Sequence, residues 1–243
     1  MPPLPAHLRM KPKDISPVVV SAGDPARVEQ LATLLREPKL VNSNRGFITY
    51  TGYYRSKRLT VATHGIGGPS SAIVFEELRT LGAKTIVRLG TAGGMARDLR
   101  VGDLVVPTGA AYGEGSLRMY VPDGFLPATP DLGLTMAILD QCRAEGARHR
   151  AGVVFSSDAF YAEDPTFIEK WTRRGVVAVE MECATLFTLG LLRGFRTASL
   201  LVVSDSLVNR AERSLALADA LAGSVDKAAR IVFDTLATTT PEP

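Results

Sequence analysis

Short apolar runs ending in glycine, small hydroxyl or charged residues alternate with helix-like segments along almost the whole chain, and no period repeats. That alternation argues for one α/β domain around a largely parallel or mixed sheet. DISPVVVSAG (14–23) reads as a strand, and Asp24 then Pro25 supply an N-cap and a first helical residue. Residues 46–65 alternate like two paired strands around the polar turn 55–58. A helix opens at Pro69 and stops at Gly82, and strands are predicted in KTIVRLGTAGG (84–94) and GDLVVPTGAAYG (102–113). Residues 114–130 are rich in Pro and Gly and read as an excursion loop. A helix over 131–146, a strand near 152–156 and a helix from Pro165 follow. The strand and helix of VVAVEMECATLFTL (176–189), the strand TASLLVVSD and a long helix from about Glu212 complete the pattern. No shift in composition marks a second domain, so residues 1–243 read as one domain with a central mixed β-sheet flanked by helices.

Composition mainly excludes. No apolar run reaches the roughly 18 residues of a membrane span, and the N-terminal segment lacks the apolar stretch of a secretory signal. The formal charge of +3 is small and its cations are scattered, which does not point to nucleic acid. Two cysteines exclude a disulfide framework, and three dispersed histidines make no metal cluster. The expectation is a cytoplasmic enzyme-sized domain without a metal.

In a sheet of this kind ligands sit beyond the carboxyl ends of the strands. The strand ends here are AGDPAR, THGIGGP, RLGTAGG, FSSDAFYAED, VEMECA and VVSDS, and each carries glycine, a hydroxyl or a charge. Gly23 permits a tight turn into a helix whose first N–H groups favour an anion, with Arg27 on its first turn. Arg88 lies inside an apolar strand, where it needs a partner: a buried glutamate, or a phosphate shared with Thr91. Glu180 and Glu182 flank Met181 in a run that otherwise reads as buried, and a buried carboxylate also needs pairing. Phe160 offers a stacking face or a lid. Asp205, beside Ser204, either caps a turn or serves as a general acid. His64 alone reads as a core histidine. The glycine run after it lacks the spacing of a dinucleotide fingerprint, and neither a P-loop nor a nucleophile elbow is present.

Taken together and in order, GDPAR, NRGFITYTG, THGIGGPS, RLGTAGG, FSSDAFYAED, VEMECATLF and VVSD resemble the hexameric purine nucleoside phosphorylases of the nucleoside phosphorylase-I family, which also includes uridine phosphorylases. Within it the chain looks most similar to archaeal 5′-methylthioadenosine phosphorylases. The resemblance spans Gly23 to Asp205. It implies phosphorolysis of purine nucleosides, with inorganic phosphate as co-substrate and no cofactor. It places phosphate on Gly23, Arg27, Arg88 and Thr91, with Arg45 donated by a neighbouring subunit. It places the ribose diol on Glu182, Met181 against the sugar face, and a neighbour's His7 at the 5′ position. Phe160 would stack on the base, lined by Val179, Ala92 and Gly93, with Glu180 touching base or sugar or supporting an arginine. Asp205 with Ser204 would address purine N7. The bacterial pattern pairs this aspartate with a downstream arginine, for which Arg210 and Arg213 are the candidates, neither aligning without a gap. A homo-oligomer, a hexamer built as a trimer of dimers, is implied. The rivals are a uridine phosphorylase, a nucleosidase of the same fold and a non-catalytic nucleoside-binding module.

Overall fold

A computed structural model describes residues 5–113, 115–161, 166–209, 216 and 218–239. Nine strands form one mixed sheet: β1 (Val18–Ala22), β2 (Arg36–Asn42), β3 (Thr49–Tyr54), β4 (Lys57–Thr63), β5 (Thr85–Gly94), β6 (Leu104–Tyr112), β7 (His149–Ser156), β8 (Val176–Glu180) and β9 (Arg196–Ser206). Their order is β2-β3-β4-β1-β5-β8-β7-β6-β9, and β5 pairs with β9 as well. Strands β5, β8, β7, β6 and β9 therefore close into a ring, and β1 to β4 extend from it as an open wing. The ring is a refinement of the expected sheet, set by pairings more than a hundred residues apart such as Thr85 with Arg196.

Helices α1 (Pro25–Ala32), α2 (Gly68–Thr80), α3 (Leu117–Tyr120), α4 (Leu132–Ala144), α5 (Phe167–Thr172), α6 (Cys183–Arg193) and α7 (Ala218–Thr238) cover the sheet. Side chains alternate across a strand, so each strand feeds two cores. Val19, Ile86, Leu201 and Val203 pack with Val74, Phe75 and Leu78 of α2 and Leu186 and Phe187 of α6. Their neighbours Val20, Val87, Leu200 and Val202 pack on the other side with Leu31 of α1, Ile138 of α4 and Phe233 of α7. Helix α6 is buried from Cys183 through Gly190, as an all-round apolar helix in a large core should be.

The predicted elements stand, with three differences. β2 is an edge strand of mostly exposed residues, REPKLVN, whose pattern carries no hydrophobic period. The excursion loop contains the short helix α3, and Ala128 bridges back to Ala110 of β6. α5 begins at Phe167 and α7 at Ala218, and the predicted starts Pro165 and Glu212 lie outside the described residues. Among the described residues no helix is long and apolar enough to cross a membrane, and no group of histidine, cysteine and carboxylate side chains is arranged to hold a metal.

Candidate active site

A cavity of about 640 Å³ opens where the carboxyl ends of β1, β5, β8 and β9 converge. It is lined by Gly23 and Arg27 after β1, by Arg88, Thr91, Ala92 and Gly93 of β5, and by Phe160 after β7. Val179, Glu180, Met181 and Glu182 reach it from the end of β8, and Ser204 and Asp205 from β9. The parallel pairing of Gly93 with Asp205 sets the β9 group beside that of β5. Residues that read as six separate strand ends thus line one chamber.

One end of the chamber is cationic. Arg88 is buried, and its Nη2 donates to Glu182 Oε2 and lies 3.4 Å from Glu180 Oε2. Its Nε and Nη1 are also buried and have no hydrogen-bond partner among the described residues. A Cβ on Gly90 would sit 2.0 Å from Nη1, so glycine two residues downstream is what lets the guanidinium fold back along its own strand. Burial works against the Arg88 charge, but Glu182 and Glu180 outweigh it and hold its pKa above the ordinary arginine value. Arg27 comes close enough that burial first, and Arg88 second, lower its pKa. Two neighbouring cations with unfilled donors make an anion site.

The two glutamates divide the work. Glu180, expected among base or sugar contacts or behind an arginine, has both oxygens engaged by protein. It accepts from the Glu182 N–H at 2.9 Å, the Cys183 N–H at 3.1 and 3.0 Å, and the Ser156 hydroxyl. Ser156 Oγ in turn accepts from Ala184 N–H at 2.9 Å. Three successive amides at the start of α6 are thereby satisfied, the usual need of a helix N-terminus. Glu180 still lines the chamber, and its Oε2 lies 3.4 Å from Arg88 Nη2. Glu182 Oε1 accepts from Gly67 N–H, the cap of α2, at 2.7 Å. Burial pushes the Glu182 carboxyl up, yet Arg88, His64 and the Gly67 N–H together bring its pKa below the ordinary value.

The other end is less charged. Ser204 Oγ lies 2.7 Å from Asp205 Oδ1 and 3.3 Å from Ala92 O, so one hydroxyl links the carboxylate to β5. Val179, Leu207 and Ile66 give this chamber its apolar walls. Phe160 stands at the mouth, 60% exposed, edge-on to Tyr161 at 4.9 Å.

A family model described as the phosphorylase superfamily matches residues 17–237. The chain belongs to the phosphorylase superfamily. Among similar members is a protein named uridine phosphorylase from Treponema pallidum, 38% identical over 239 residues, covering 94% of this chain and 91% of that protein. A guanosine phosphorylase from Halorubrum lacusprofundi is 35% identical, covering 83% of each. The crystal structure of the Toxoplasma gondii purine nucleoside phosphorylase in complex with immucillin-H superposes with a TM-score of 0.88 at 28% identity, covering 96% of this chain and 94% of that one.

Within this superfamily member, two expected site residues do not line the cavity of the chain that carries them. His7 is bound to Glu77 on α2, and Arg45 is exposed in a short turn with φ 56°. Arg210 and Arg213, the candidates for a partner of Asp205, lie outside the described residues. Asp24, Pro25, Ile66, Ser157 and Leu207 also line the chamber. Of these, only Leu207 lies outside the strand-end motifs read from the sequence.

His64 is the core histidine that its setting suggested. It is fully buried, with Nδ1 2.7 Å from the Gly65 carbonyl, and burial lowers its pKa from 6.5 to about 4. The unfolded chain therefore takes up this proton before the folded one. The stability His64 confers is complete above about pH 6.5 and is lost as pH falls toward 4. Between pH 7 and 5 the loss should be about 2 kcal/mol. Urea unfolding of wild type and His64→Asn at both pH values checks this, and an identical acid loss in the variant would refute it.

Proposed function

We propose that this superfamily member phosphorolyses purine nucleosides, 5′-methylthioadenosine included, to free base and the corresponding ribose 1-phosphate. The observation that carries the reading is one chamber with unfilled arginine donors at one end and the Asp205–Ser204 pair at the other. Phosphate on Arg27, Arg88, Thr91 and Gly23, with Arg45 from a second copy, attacks C1′ as the glycosidic C–N bond breaks. The ribose passes through an oxocarbenium-like state, Glu182 holds its 2′- and 3′-hydroxyls, and Met181 packs on its face. Purine leaves more easily once protonated at N7, the proton coming through Asp205. Phe160 would stack on the base, with Val179, Ala92 and Gly93 beside it.

Charge supports phosphate over water, because a water nucleophile needs no anion cradle. The base end supports a purine. Its described polar side chains at β9 are one carboxylate and one hydroxyl, suited to an N7 acceptor and an exocyclic amine, whereas uracil presents two carbonyls flanking an N–H. Ile66 and Met181, apolar residues that line the chamber with Glu182, suit a 5′-thioether as well. Uridine is the second reading, favoured by the 38% identical relative of that name. A chain that lends His7 and Arg45 to a second copy would act as an oligomer, and a hexamer built as a trimer of dimers is the form we propose.

The test is a panel of methylthioadenosine, adenosine, inosine, guanosine and uridine, each with and without phosphate. The expected result is phosphate-dependent release of purine together with a sugar 1-phosphate. Equal release without phosphate would establish a nucleosidase, and turnover of uridine alone would establish the second reading.

A further inference from the structure

The segment carrying His7 is tied to α2 by one carboxylate. Glu77 accepts from the His7 N–H at 3.2 Å to each oxygen, from the Leu8 N–H at 2.7 Å, and from His7 Nδ1 at 2.7 Å. The same segment is fastened to residues 42–47. Asn44 Nδ2 donates to the His7 carbonyl at 2.9 Å, Arg9 N–H donates to Asn42 Oδ1 at 3.1 Å, and Asn42 Nδ2 donates to the Phe47 carbonyl at 2.6 Å. The His7 ring stands edge-on to Phe47, centroids 6.3 Å apart. His7 and Arg45 thus belong to one block.

An anchor for the chain needs only the two backbone amides. The bond to Nδ1 does something more. An ionised carboxylate only accepts, so Nδ1 carries a proton and the neutral ring keeps its lone pair on Nε2. Nε2 has no hydrogen-bond partner among the described residues. Ring plane, tautomer and height are all set before any ligand arrives, and such preorganisation favours binding.

We propose that Glu77 is a positioning residue for the 5′ end of the nucleoside. It holds His7 so that Nε2 accepts from the 5′-hydroxyl of a nucleoside bound in a second copy's chamber. This rests on the proposed phosphorolysis with His7 lent between copies.

The test compares kcat/KM for base release from adenosine and from 5′-deoxyadenosine on one preparation of each variant, so that any unfolded fraction cancels in the ratio. Wild type should favour adenosine by roughly five- to tenfold, the worth of one hydrogen bond. His7→Ala should bring the ratio near one. Glu77→Gln, which keeps the volume but cannot satisfy all three donors, should lower the ratio about threefold or more, and the double variant should fall no further than His7→Ala. A wild-type ratio in Glu77→Gln, a ratio near one in wild type, or a further fall in the double variant would each overturn the proposal. A merely structural Glu77 would slow both substrates equally and leave the ratio unchanged. Base release without phosphate would overturn the phosphorolysis reading and leave the ratio readable, whereas no release from either nucleoside would overturn both.

Discussion

Asp205→Asn is expected to lower kcat for purine nucleosides by about 10²- to 10⁴-fold, the usual worth of a general acid, while substrate still binds. Asparagine keeps the shape and can still meet the Ser204 hydroxyl, which lies 2.7 Å from Asp205 Oδ1. It can also hydrogen-bond N7, but it cannot deliver a proton there. Adenosine-type bases, which depend most on protonation at N7, should suffer at least as much as 6-oxo bases. Steady-state rates with saturating phosphate decide the matter. Wild-type kcat on every base would remove Asp205 from the chemistry.

Glu182→Ala should be nearly as damaging, for a reason visible in its partners. The carboxylate bridges the Gly67 amide and Arg88 Nη2, so its removal leaves a buried cation with Glu180 at 3.4 Å as its remaining counter-charge. Glu182 would also give up two charge-assisted hydrogen bonds to the diol, each worth about 1.5–3 kcal/mol, which places the loss on ribosides at roughly 100-fold or more in kcat/KM. A 2′,3′-dideoxynucleoside offers no diol, so its rate should fall far less. The comparison of the two substrates on one sample separates diol binding from lost folding. An equal loss on both would assign Glu182 to structure alone.

Much of the site was legible because strand ends concentrate it. Arg88 stood out as a cation in an apolar strand, Gly90 beside it was the space it needed, and Asp205 stood out as a carboxylate closing a hydrophobic run. What could not be read was pairing at a distance. Glu180 could be read only as needing a partner, because nothing local shows that Ser156, twenty-four residues earlier, and the first amides of α6 meet its oxygens. Glu77 looks like one more solvated carboxylate in FEELR, and its partners lie 69 and 70 residues away. β2 was missed because an exposed edge strand needs no apolar period, and the pattern registers only burial. The ring closure was missed for the same reason as Glu180, since a strand's own sequence does not name its neighbours.

That closure has a temporal side. β9 sits between β5 and β6 in the ring, yet among the described strands it is the last to leave the ribosome. The contact between Ser199 and Arg88 spans 111 residues, which at roughly 5–20 residues per second means a wait on the order of 5–20 s. Until β9 arrives, the edges of β5 and β6 that it will cover are open to pairing with another chain. Asp205 arrives on the closing strand itself, so a chain stalled before residue 205 has the arginines without the proposed acid. Turnover would then report that this strand has gone in.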